Sequence, residues 1–99
     1  MTNIKELKEC FEEAFRTKAN YIGVVVTMPG AQSPEVIINS YVNFEYKLAY
    51  YQRAYAEDLT LKNCKDIKII TCAYGNDVKE VMDKIADNCL EVVKQCLNQ

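Results

Sequence analysis

Tyr21-Ile22-Gly23-Val24-Val25-Val26-Thr27-Met28 is the longest apolar run in the chain, and Pro29-Gly30-Ala31-Gln32-Ser33-Pro34 follows it directly. The run is rich in β-branched residues, which suit a pleated, half-buried surface. Ile22, Val24, Val26 and Met28 alternate onto one face, so the run reads as a strand. Pro29-Gly30 fits the two central positions of a type II turn, because Gly30 accepts positive φ. A second strand over about Glu35 to Asn39 then returns antiparallel, and the two make a hairpin with a long loop.

On the N-terminal side, about Asn3 to Lys18 reads as a helix. Asn3 can cap it with Glu6 as the capping-box partner, and Ile4, Leu7, Phe11, Ala14 and Phe15 recur at helical spacing. On the C-terminal side, about Val42 to Asp58 reads as a second helix with Phe44, Leu48, Tyr51 and Tyr55 on its inner stripe. LTLKNCKD breaks that pattern and reads as a connector. A third strand spans about Asp66 to Tyr74, with Ile67, Ile69 and Thr71 on one face and Ile70 and Cys72 on the other. Asp77 and Glu80 form a capping box for a third helix running to about Leu97. Its core stripe is Val78, Val81, Ile85, Cys89, Val92 and Cys96.

The predicted order is therefore αββαβα. It is a single α+β domain over residues 1–99, with a three-stranded sheet and helices packed mainly on one face. A parallel β-α-β unit through the second helix is compatible with this order. A chain of 99 residues buries roughly two-thirds of the surface it exposes when unfolded, enough for one modest core.

Composition narrows the chemistry. No histidine is present, which removes the commonest general base, the Ser-His and Cys-His nucleophile systems, and imidazole metal sites. The cysteines are Cys10, Cys64, Cys72, Cys89 and Cys96. They form no C-x-x-C pair, so neither a zinc site nor a thioredoxin-type motif is expected. Cys89 and Cys96 face one side of the third helix but stand about 10 Å apart, too far for a disulfide. An odd count at wide spacing without an export signal reads as reduced thiols in the cytosol, packed as small hydrophobes. Glu6, Glu9 and Glu13 read as a solvated helix side. No catalytic residue, no metal and no cofactor is expected, and the chain is read as not an enzyme.

The net charge of -2 comes from 12 basic and 14 acidic residues with interleaved signs. Arg16 and Arg53 are far apart, so nucleic-acid binding is not expected. Neither a signal peptide nor an apolar run long enough for a membrane span is read.

Three surfaces stand out. Tyr46, Tyr50, Arg53 and Glu57 cluster opposite the inner stripe of the second helix, and Tyr and Arg are enriched at interface hot spots. They form either a binding strip for a protein partner or a face covered within the monomer. Ala86, Leu90 and Leu97, with Val93, widen the apolar arc of the third helix to about half its circumference. They meet either the first helix or a second subunit in a homodimer. Gly75, Asn76 and Asp77 place a helix N-terminus after a strand, where backbone amides hold an anion or serve as an ordinary cap.

The stretches PEVIIN (34–39), NFEYKLAYYQRAYAEDLTLKN (43–63) and IKIITCAYGNDVKEV (67–81) resemble small uncharacterised proteins of Firmicutes phages and prophages, clostridial ones especially. The resemblance implies a phage or mobile-element origin and action in the bacterial host cytoplasm. It carries no activity over residue by residue. The expected function is a non-enzymatic binding protein that stoichiometrically inhibits a bacterial defence or host protein. The alternative is an oligomeric sponge for a small anionic ligand such as a nucleotide signal, with tyrosines stacking on its base.

Overall fold

The computed structural model describes the backbone of residues 1–97 and the side chains of residues 1–90. Helix α1 spans Ile4–Arg16. Its first turn is closed by the Glu6 N–H donating to Asn3 Oδ1 at 3.0 Å. The Glu6 carboxylate in turn accepts from the Thr2 N–H at 3.3 Å. Leu7, Phe11 and Ala14 lie fully buried along one side, as their spacing predicts.

Strand β1, Tyr21–Thr27, pairs antiparallel with β2, Glu35–Ser40. Their connection contains the expected turn. Gly30 has φ of 75°, and the Ala31 N–H donates to the Met28 carbonyl at 3.2 Å. A single 3₁₀ turn, Tyr41–Asn43, leads into α2, Phe44–Ala54. A two-residue strand β3, Thr60–Leu61, precedes the long β4, Cys64–Gly75, and α3 spans Val78–Leu97.

The sheet order is β2-β1-β4-β3, and every neighbouring pair is antiparallel. The fold is α+β in the order αββαββα, with four strands where the sequence reading had three. The short β3 lies inside LTLKNCKD, the segment whose broken pattern reads as a connector. Asp58 Oδ1 accepts from the Thr60 N–H at 3.1 Å, and the Ile69 N–H donates to the Leu59 carbonyl at 3.0 Å. Leu59 takes φ of 70°, which costs a non-glycine residue about 1–2 kcal/mol. Its fully buried side chain offsets that cost. A strand this short carries no period to read.

The parallel unit that the sequence order is compatible with is present in split form. Both β2 and β4 run antiparallel to β1, so they run parallel to each other, joined through α2 with β1 between them.

Two of the three helices, α1 and α2, share one face of the sheet, and α3 covers the other. Ile22, Val24, Val26, Ile69 and Cys72 pack with Leu7 and Phe11 of α1 and with Phe44 and Tyr51 of α2. Val25 and Ala73 pack on the other face with Val81 and Ile85 of α3. The pairing of β1 with β4 slips between Val25 and Val26, where Ile70 is left without a partner. This bulge reverses the alternation of β4. Ile67 and Ile69 share their face with Cys72 and Tyr74. Ile70 packs toward α3, and Thr71 on the same side accepts from Asn88 Nδ2 of α3 at 3.1 Å. The sequence assignment of Thr71 to the face of Ile69 therefore fails one residue after the bulge. Met28 falls outside β1 and is exposed. Val78, expected on the core stripe of α3, is 44% exposed.

Gly23 makes α3 fit. A β-carbon placed there would lie 2.8 Å from Val81 Cγ1 and 2.9 Å from Ile85 Cδ1. Val81 is β-branched and stiff at χ1, so it cannot turn aside. Gly23→Ala is expected to destabilise the fold by about 1–3 kcal/mol through overpacking, seen as a lowered urea midpoint with an unchanged m-value.

Candidate interaction surfaces

The 3₁₀ turn at Tyr41–Asn43 runs directly into α2, so Val42 and Tyr46 stand four residues apart on one side. Val42 is 83% and Tyr46 is 72% exposed. Arg53 is also exposed. Tyr50 is half-buried. Its ring centroid lies 5.4 Å from Tyr51 and 6.5 Å from Tyr55, both edge-to-face, and Lys47 Nζ stands 5.1 Å from it. Glu57 is exposed but lies beyond the helix, and its carbonyl accepts from the Ile4 N–H at 2.9 Å. The helix stops before it because Tyr55 turns extended, φ -108° and ψ 145°, and bridges to Leu61. Of the strip read as Tyr46, Tyr50, Arg53 and Glu57, the structure thus leaves Tyr46 and Arg53 free on the helix and joins Val42 to them. Val42 was missed because it was read simply as the helix start.

On α3, Ala86 is exposed and Leu90 is 53% exposed, as are Val78 and Met82 at 44% and 40%. These four recur every four residues and form a stripe away from Val81 and Ile85. An ion pair of Lys79 with Asp83 at 2.8 Å borders it, whereas the pair of Lys84 with Glu80 at 3.3 Å lies on another side of the helix. The first helix does not cover this side, since α1 lies across the sheet. The side chain of Leu97 lies outside the described residues, as do those of Val92, Val93 and Cys96.

The N-terminus of α3 is capped by the chain itself. The Glu80 N–H donates to Asp77 Oδ1 at 2.8 Å, and Glu80 Oε2 accepts from the Asn76 N–H at 2.9 Å. The Asn76 N–H, and then Lys84, hold the Glu80 carboxyl below its ordinary range. Gly75 is buried, and a β-carbon there would lie 2.9 Å from the Glu80 side chain. Gly75, Asn76 and Asp77 therefore come together as a cap with two carboxylates at its mouth, a setting that repels a further anion. An open cleft of about 420 Å³ beside it is lined by Tyr21, Tyr41, Val42, Asn76 and Asp77 among others.

One juxtaposition has no signal in the sequence. Cys10 of α1 and Cys72 of β4 bring their sulfurs to 3.0 Å. Cys10 is half-buried and Cys72 buried. Both line a cleft of about 280 Å³ with Tyr74, Lys84, Asp87 and Asn88, where Lys84 Nζ donates to the Tyr74 carbonyl at 2.8 Å. The hydrogen bond with Cys72, and then Lys84, hold the Cys10 thiol below the usual range against the effect of burial. Burial pushes the Cys72 thiol well up. No group of three or more metal-ligating side chains occurs among the described residues, and no helix among them is long and apolar enough to cross a membrane.

Compared with protein-family models, curated proteins and solved structures, the chain has no match in any of the three.

The two tyrosines of α2 should separate cleanly by stability. Tyr46→Ala removes an exposed ring and should change stability by no more than about 0.5 kcal/mol. Tyr50→Ala loses edge-to-face contacts with Tyr51 and Tyr55 and should cost about 1–2 kcal/mol. Thermal denaturation of the two variants side by side checks this, and equal melting temperatures would contradict it.

Proposed function

We propose that this chain is a non-enzymatic binding protein that occupies a protein partner stoichiometrically, as an inhibitor of a bacterial defence or host protein in the host cytoplasm. The observation that carries this reading is the exposed Val42–Tyr46 pair on the outer side of α2, continued by Arg53. An aromatic ring held on a helix and left to solvent is a typical anchor for a partner's pocket, and an arginine beside it adds directional hydrogen bonds. The resemblance of the central segments to phage and prophage proteins supports the partner class. The alternative, an oligomeric sponge for an anionic ligand, has Tyr21 and Tyr41 beside the α3 N-terminus in its favour. Against it, the Asp77 and Glu80 carboxylates take the Glu80 and Asn76 amides and place negative charge at that mouth.

The α3 stripe supports self-association. The Lys79–Asp83 pair along its edge carries both signs and complements itself when two such helices pair antiparallel. Met82→Glu with Leu90→Glu should convert a dimer to a monomer in sedimentation while the far-ultraviolet spectrum stays folded. A wild-type protein that sediments as a monomer at high concentration would refute this assignment.

Partner binding is tested by placing a photo-crosslinking residue at position 46 and, separately, at Lys62. Position 46 should trap one protein of the native host at one-to-one stoichiometry, and position 62 should not. With that protein purified, Tyr46→Ala should weaken binding about thirtyfold, the effect of losing about 2 kcal/mol, with the melting temperature unchanged. Affinity unaffected by Tyr46→Ala would remove α2 as the binding surface.

A further inference from the structure

We propose that Cys10 and Cys72 form a redox-active dithiol that exchanges with low-molecular-weight disulfides, Cys10 attacking and Cys72 resolving. The two residues are far apart in sequence and sit on different elements, yet their sulfurs are 3.0 Å apart. Closure needs a movement of only about 1 Å. The pair is asymmetric. Cys10 reaches the cleft, while Cys72 lies behind it at 7% exposure. Lys84, held over the Tyr74 ring at 4.9 Å, puts a cation at the same cleft and favours a thiolate at Cys10. Cys64 and Cys89 are half-buried, and neither shares a hydrogen bond with another sulfur among the described residues.

The exchange has two steps. The Cys10 thiolate attacks one sulfur of the small disulfide, whose S–S bond breaks. The departing thiolate takes a proton from water, and a mixed disulfide remains on Cys10. Cys72 then attacks the Cys10 sulfur, its own proton passing to the second small thiol as that leaves. Two protein thiols are oxidised and one small disulfide is reduced to two thiols. The second step is intramolecular between positioned atoms, which gives it a high effective concentration. The product ties α1 to β4 across the intervening chain, and a crosslink closing so long a loop constrains the unfolded state strongly.

Equilibration of the full chain in glutathione–glutathione disulfide buffers of stepped ratio, followed by differential alkylation and peptide mass analysis, tests the proposal. Cys10 and Cys72 should leave the thiol pool together, with loss of two hydrogens from the protein, while Cys64 and Cys89 remain alkylatable. The melting temperature of the oxidised form should rise by about 10 °C or more. Cys72→Ala should halt at one glutathionyl group on Cys10, and Cys10→Ser should leave Cys72 a thiol. Should either variant fail to fold, the wild-type pattern alone decides. The proposal is overturned if Cys10 and Cys72 stay reduced across the series, if Cys64 or Cys89 oxidises before them, or if wild-type Cys10 accumulates as the mixed disulfide.

Discussion

The contact between Gly23 and the Val81–Ile85 edge of α3 is the constraint on which the rest of the architecture depends. Strand β1 sits at the centre of the sheet, and both its faces are apolar. Ile22, Val24 and Val26 point to α1 and α2, while Val25 and the gap at Gly23 point to α3. A strand buried on both faces cannot stop at two layers, because one face would expose Val25 to water. Each buried valine is worth about 1.5–3 kcal/mol relative to an exposed one. The third layer therefore follows from the residues of β1, and Gly23 sets how closely it can approach.

Much of this is legible in the sequence where a local rule governs. Asn3 and Asp77 cap their helices through Glu6 and Glu80 as the four-residue pattern requires. Pro29-Gly30 turns as its composition demands. Legibility ends where the decisive contact is non-local. The period of β1 marks one face with Ile22, Val24 and Val26, but the role of Gly23 on the other is seen only beside Val81. The bulge at Ile70 leaves no mark in an unbroken run of β-branched residues, so the face of Thr71 was misassigned. Strand β3 is held by Asp58, the left-handed Leu59 and a bond from Ile69, none of which makes a period.

The surfaces divide in the same way. Helical spacing placed Ala86 and Leu90 outside the core stripe of α3, and they are exposed. It also placed Tyr46 and Tyr50 together, and they part. Tyr46 stays in water, whereas Tyr50 leans onto Tyr51 and Tyr55. A 100° step per residue gives the direction of a Cα–Cβ bond, but a tyrosine ring reaches well beyond it and settles on whatever apolar surface is near. The end of α2 at Ala54 removes Glu57 from the strip for a reason outside the helix, the bridge from Tyr55 to Leu61. The approach of Cys10 to Cys72 depends on α1 lying over β4, which only the fold supplies.

The aromatic core explains why Val42 and Tyr46 remain outside. Phe11, Phe15, Tyr41, Phe44, Tyr51 and Tyr55 pack with neighbouring centroids about 5.4–6.3 Å apart. That cluster packs between α1, α2 and the sheet, with Tyr41 at its exposed rim. It even leaves the Tyr51 hydroxyl buried without a hydrogen-bond partner among the described residues, a cost of about 1–3 kcal/mol. Tyr50 takes the remaining place at its edge, against Tyr51 and Tyr55. Side chains one step further round α2 must then face outward, where burial is available only against another molecule.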